Sequence, residues 1–346
     1  MDPIVLVLLV IVFALLFDFT NGWNDSANSI ATIVSTRVLR PGPALVYAAT
    51  LNFAGAFAST AIAKMVGTGI VDMEVFGDPF HLQPVLLAAM LAAAGWVGWC
   101  SVRGLPISAS HSLIGALVGA AIAAKGPAAV HASGLATVVV ALFLSPLLGL
   151  VLGYALLVAV LWAGRGLTYR GGQRLFGVLQ VVSSGFMSYE HGQNDAQKVM
   201  GVIAISLFAG GLLTDANGTV ITDPRQLYVP TWVVLACGTV IALGTGVGGW
   251  RVIRTLGSKL AHLTPVEGFA VETAAGAVLE MAALSGVPVS TTHTITGAIL
   301  GVGSVVSPKR VRWMLGAKIV YAWLFTFPAT FGVAWVVSLL VQSFAE

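Results

Sequence analysis

The sequence predicts an all-α polytopic membrane protein: two inverted-topology repeats with discontinuous or re-entrant helices, about 10–12 membrane segments in all. Three observations predict it. The composition is too apolar for water, two pairs of polar motifs recur in the same order, and the loop charges place the two copies in opposite orientations.

Hydrophobic residues make up 57% of the 346-residue chain and charged residues 9%, against about 25% charged in a soluble domain. Mean hydropathy is +0.93, so the excess apolar surface must face lipid. Runs of roughly 20 apolar residues suffice to span a bilayer, and segments 43–66, 83–100, 133–163, 229–249 and 313–340 qualify. Forty glycines suit membrane helices, where small residues let backbones approach. Segment 4–17 is apolar but lacks a basic leader and a small-residue cleavage site, so it reads as a mature helix. Cys100 and Cys237 lie in or beside apolar segments and read as small packing residues. The sequence pI near 9.0 reflects Lys and Arg in short loops and does not point to nucleic acid.

The duplication is legible in two places. Residues 104–119 (GLPISASHSLIGALVG) resemble residues 286–301 (GVPVSTTHTITGAILG), with Gly, Pro, Ser, His, Gly, Ala and Gly in register. Residues 21–28 (NGWNDSAN) resemble residues 191–198 (HGQNDAQK). Asn24 recurs 170 residues on as Asn194, and Pro106 recurs 182 residues on as Pro288. Similar offsets in one order predict a first repeat over 1–163, a basic cytoplasmic connection over 164–174 and a second repeat over 175–346.

Basic clusters at Arg37 and Arg40, 165–174, 251–259 and 309–312 mark cytoplasmic loops. The acidic or mixed loops 67–81 and 213–227 then lie outside, and so do both termini. The Pro106 segment runs outward and the Pro288 segment inward, which inverts one half against the other. Inverted repeats are a transporter pattern, with the site near the midplane at broken helices. A structural bundle without cargo is the alternative.

Ionisable groups at membrane depth suggest a function. Asp25 and Asp195 each follow an asparagine, Asn24 and Asn194, and head helix-forming runs. Capping those helices is the plain reading, but it does not explain the recurrence. Their oxygens suit Na⁺ or H⁺, and Asn28, one turn after Asp25, shares its face. Ser108, Ser110 and Ser112 recur as Ser290, Thr292 and Thr294. Pro106 and Pro288 fit first helical turns, so Ala109 and Thr291 would offer free backbone N–H groups beside these hydroxyls, an anion site without fixed charge. The hydroxyls bonding to their own backbone is the competing reading. Ser108 with His111 also resembles a nucleophilic pair, yet it occurs twice without a third group, and His111 and His293 instead shape the turns. Gly115/Gly119 and Gly297/Gly301 read as helix-packing pairs. Arg103 and Lys125 read as topology determinants, and Lys64 and Lys318 as snorkelling side chains.

These motifs resemble the inorganic phosphate transporter (PiT) family: Gly22-Trp-Asn-Asp-Ser-Ala-Asn28, His191-Gly-Gln-Asn-Asp195, Pro106 to Ala116 and Pro288 to Ala298. The match covers both halves, as in a compact bacterial member. It implies import of inorganic phosphate with a cation, location in the inner (plasma) membrane, a homodimer and no cofactor beyond the transported ion. It assigns phosphate binding to Ser108, Ala109, Ser110, Ser290, Thr291, Thr292 and Lys198. Coupling falls to Asn24, Asp25, Asn28, Asn194, Asp195 and Glu190, with a possible Na⁺ at Asp25, Asn28 and Asp195. Lys198 stands where relatives resembling the sodium-coupled branch carry asparagine. It either displaces a cation or touches phosphate, which favours H⁺ over Na⁺, with Glu190 and Asp18 as candidate proton carriers. A sulfate or metal–phosphate permease, and a membrane enzyme acting on a lipid phosphate, are the alternatives.

Overall fold

Long runs of Leu, Val, Ala and Ile give twelve α-helices in the computed structural model, which describes residues 3–215 and 217–345. The first six are α1 (Pro3–Ser35), α2 (Pro41–Gly55), α3 (Ala61–Thr68), α4 (Gln83–Arg103), α5 (Ala109–Lys125) and α6 (Ala132–Ala163). The next six repeat that order: α7 (Tyr169–Ala209), α8 (Thr231–Val247), α9 (Trp250–Arg254), α10 (Pro265–Ser285), α11 (Thr291–Val306) and α12 (Trp313–Ala345). Each half is a long helix, a broken pair, a hairpin and a second long helix. By length and composition α1, α4, α6, α10 and α12 can each cross a membrane, and α8 with the helix after it makes a sixth span bent by 60°.

Three details correct the sequence reading. Segment 43–66 is not one span. It breaks after Gly55, and Gln197 Oε1 of α7 accepts from Ile62 N at 2.9 Å, supplying a partner at the start of α3. Segment 229–249 ends at Gly248, whose φ of +75° turns the chain into α9 and a π-helical turn, Thr255–Leu260. The two Asn-Asp pairs are not at helix starts. α1 and α7 run unbroken through them, so capping is excluded by geometry.

α1 and α7 lie side by side and antiparallel. Asn21 meets Asp195, Ser29 meets Ser184 and Thr36 meets Gln180, so numbers rise along one helix as they fall along the other. These two equivalent helices of the two halves therefore point in opposite directions.

The halves also interlace. α5 packs on α12 and α11 on α6. A Cβ on Gly119 would strike the Phe331 carbonyl, and one on Gly297 or Gly301 would strike the carbonyls of Pro146 and Leu150. The small-residue pairs thus permit backbone contact where dispersion, not a hydrophobic drive, holds helices together. Outward on α6 and α12, Leu147, Val151, Tyr321 and Phe325 are exposed and form the apolar perimeter.

Candidate functional site

Each hairpin turn is built the same way. Gly104 (φ +71°) closes α4 in the left-handed region and Gly286 (φ +66°) closes α10. An extended lead-in containing Pro106 or Pro288 follows. Ser108 then caps α5 by accepting from His111 N at 3.1 Å, and Ser290 caps α11 by accepting from His293 N at 3.2 Å. The prolines therefore lie two residues ahead of the caps, outside the first helical turn. Ser112 and Thr294 donate back to the carbonyls of Ser108 and Ser290, the self-bonded arrangement. The N–H groups of Ala109, Ser110, Thr291 and Thr292 have no partner inside their helices by construction.

The two N-termini converge against the middle of α1 and α7. Thr291 Oγ1 stands between the paired aspartates, 3.1 Å from Asp25 Oδ2 and 3.3 Å from Asp195 Oδ2. Its single proton satisfies one of them at a time. Thr292 Oγ1 donates to Asp25 at 3.1 Å, and Asn28 Nδ2 donates to both threonine hydroxyls at 3.3 and 3.1 Å. Asp25, Asp195 and all their partners here are buried. Two carboxylates sharing one hydroxyl in a medium of low dielectric repel strongly unless a cation or proton lies between them.

Lys198 answers one of them. Its ammonium lies 2.5 Å from Asp195 Oδ1, 2.7 Å from Ser110 Oγ and 2.9 Å from the Val289 carbonyl, which uses all three of its protons. Ser110 in turn donates to Val289 O. One lysine thus ties α7 to both hairpin turns.

His191 and Asn21 stand in the sequence only as parts of the recurrent motifs. Both belong to the cluster. His191 Nε2 lies 3.3 Å from Asp195 and 4.0 Å from Asp25, and its Nδ1 is held 2.7 Å from Asn52 Oδ1. Asn52 is itself oriented by donating to Thr245 Oγ1. Nothing local in the sequence marks Asn52, because its contact crosses from α2 to α7. Asp25, His191 and Asp195 offer three ligand atoms within 4.8 Å of one another. The buried Oδ1 atoms of Asn21, Asn24 and Asn28 find no hydrogen-bond donor. Hard oxygens left without donors suit a cation or a proton.

The other predicted residues divide. Asn24 donates to Ser101 Oγ and Leu105 O, and Asn194 to the carbonyls of Glu190 and Leu279, so both pin the long helices to the hairpins. His111 and His293 lie tilted against each other behind the caps, centroids 4.7 Å apart, and His293 stacks on Trp323. Glu190 faces a separate cavity that it shares with Glu280. Asp18 is fully buried on α1, with neither oxygen hydrogen-bonded. A further buried acid absent from the recurrent motifs, Glu272, accepts from Thr32 (2.5 Å), Ser183 (2.6 Å) and Gln180 (3.2 Å). It is a carboxylate within an apolar segment, and the rule that picked out Asp25 would have found it.

Antiparallel long helices that meet at buried carboxylates and two helix N-termini are the architecture of a membrane transporter. The family model described as the phosphate transporter family matches residues 21–171 and 167–334, and the chain belongs to that family. It is 46% identical over 323 residues to a probable low-affinity inorganic phosphate transporter of Rhizobium meliloti, covering 92% of this chain and 91% of that one. It is 40% identical over 336 residues to one of Bacillus subtilis, covering 95% and 96%. A solved structure described as the sodium-dependent phosphate transporter shares the fold with a TM-score of 0.86 over 98% of this chain and 99% of that one, at 23% identity.

Proposed function

We propose that the protein imports inorganic phosphate by symport with a cation. The observation that carries this reading is Thr291, whose hydroxyl touches both Asp25 and Asp195 at the N-terminus of α11. A phosphate drawn to the N–H groups of α5 and α11 meets two carboxylates a few ångströms away. It binds well only when they hold cations or protons, and the cation binds better with phosphate present. By linkage the two load and leave together. The probable inorganic phosphate transporters at 40–46% identity support phosphate as the cargo.

Lys198 supports H⁺ over Na⁺ as the coupling ion. Its ammonium already satisfies Asp195, where the first half has the neutral Asn28 beside Asp25. One fixed cation leaves one carboxylate, Asp25, to load. We place the protein in the plasma membrane, basic loops inside and termini outside, with repeat units over 1–163 and 175–346.

The test is radiolabelled phosphate uptake into proteoliposomes with a proton gradient and a sodium gradient imposed separately. Accumulation with the proton gradient alone is expected. Accumulation with sodium alone would overturn the coupling assignment, and sulfate moving in place of phosphate would overturn the cargo.

A further inference from the structure

Away from the paired aspartates, the turn joining α4 to α5 borders a cavity of about 340 Å³. Arg103, Arg251, Arg254, Lys259 and Lys318 line it, with no carboxylate among the lining residues. They come from three separate stretches: the end of α4, α9 with its π turn, and the start of α12. None of the five takes part in any of the ion pairs among the described residues. Two have local anchors. Arg251 donates to the Val102 carbonyl, and the Arg103 guanidinium lies 5.1 Å from the Trp99 ring centroid.

Basic residues on this side of the protein follow from loop topology. Their convergence on one concavity does not, because clustered like charges repel and a concave wall concentrates the field. Such a pocket is complementary to a small oxyanion, which guanidinium and ammonium groups recognise directly. It also adjoins the transport site. Pro106 is part of its wall, and Ser108, two residues on, caps α5. Trp323 Nε1 holds the Pro106 carbonyl at 3.0 Å, and Thr255 Oγ1 holds that of Gly104 at 3.2 Å. A few residues of extended chain therefore separate the basic cavity from the helix N-terminus.

We infer that this cavity is a second binding site for a phosphate-type oxyanion, a vestibule that phosphate occupies between the α5 N-terminus and the solution on the basic side. The assignment rests on the proposed transport of phosphate. The same chemistry would hold the phosphate of an anionic lipid headgroup, and the test separates the two.

Arg254→Gln, Lys259→Gln and Lys318→Gln are combined, because these three lack the anchors that tie Arg103 and Arg251 to the fold. Phosphate counterflow is measured from each side of oriented proteoliposomes, made of phosphatidylcholine alone or with added phosphatidylglycerol. The half-saturating phosphate concentration on the cavity side is expected to rise roughly tenfold in both lipids while the opposite side keeps the wild-type value. A defect confined to phosphatidylglycerol vesicles would give the site to a headgroup and overturn the vestibule. No change, or an equal change on both sides, would also overturn it. A binding readout stands apart from transport: in neutral detergent, inorganic phosphate should protect Lys259 and Lys318, but not exposed Lys309, from an amine-reactive label, and lack of protection removes the site. Absence of wild-type counterflow alongside intact protection would fault the transport reading and leave the site standing.

Discussion

The Lys198 ammonium sits 2.5 Å from Asp195 Oδ1, one turn along the same helix, while Asp25, its counterpart in the other half, has only neutral hydroxyl partners and a histidine. The pseudo-symmetric site is thus chemically asymmetric: one carboxylate is paired with a cation of the chain itself and the other is not.

Replacing that fixed cation should therefore change the ion requirement. Lys198→Asn gives the second half the amide that Asn28 supplies in the first, and sodium-stimulated phosphate uptake is expected to appear where the wild type has little. Lys198→Met removes the charge without offering oxygens. It leaves Asp195 buried beside a weaker partner, at a cost of about 3–5 kcal/mol. A sodium titration of uptake, with thermal unfolding of both variants, checks this. Indifference of Lys198→Asn to sodium would count against it.

Asp25→Asn should abolish coupled uptake and leave the fold intact, since the amide still accepts from Thr292 and fills the same volume. Thr291→Ser should keep uptake near wild type because the bridging hydroxyl remains, whereas Thr291→Val should lower it at least about tenfold, the scale of losing a charge-assisted hydrogen bond of ~1.5–3 kcal/mol. Normal transport by Asp25→Asn would show that the carboxylate pair is not the coupling site.

His191 and Asn52 should act as one unit. Asn52→Ala frees His191 Nδ1, whose partner lies at 2.7 Å, and is expected to reduce uptake in the same direction as His191→Ala. The double variant should lose little beyond the worse single change, with an interaction energy of about 0.5–3 kcal/mol. Simple additivity in the four-protein cycle would mean that the histidine works without its orienting amide.

Two glycine substitutions should separate helix packing from helix propensity. Gly297→Ala drives a methyl into the Pro146 carbonyl, so a loss of about 1–3 kcal/mol is expected. Gly95→Ala, mid-α4 with nothing within 4 Å of an added Cβ, should be neutral or stabilising by up to ~1 kcal/mol. Melting temperatures in detergent report both.

Apolar composition determined that the chain is a membrane protein, because lipid acts on each apolar segment separately. The recurrence of Pro106–Ser108–His111 at Pro288–Ser290–His293 determined that the two turns match, but their helices begin at the Ser108 and Ser290 caps and not at the prolines. What only the tertiary structure decided is how these pieces meet. Asp25 and Asp195 share Thr291, Lys198 reaches Ser110, Asn52 orients His191, and each hairpin packs its returning helix on the other half. Asp25 and Asp195 lie mid-helix and not at helix starts, because α1 and α7 continue where local preference would also allow a cap. These outcomes depend on contacts between residues 88 to 266 positions apart. The energy that selects them comes from close backbone packing and from satisfying buried polar groups, neither of which any single stretch of sequence displays.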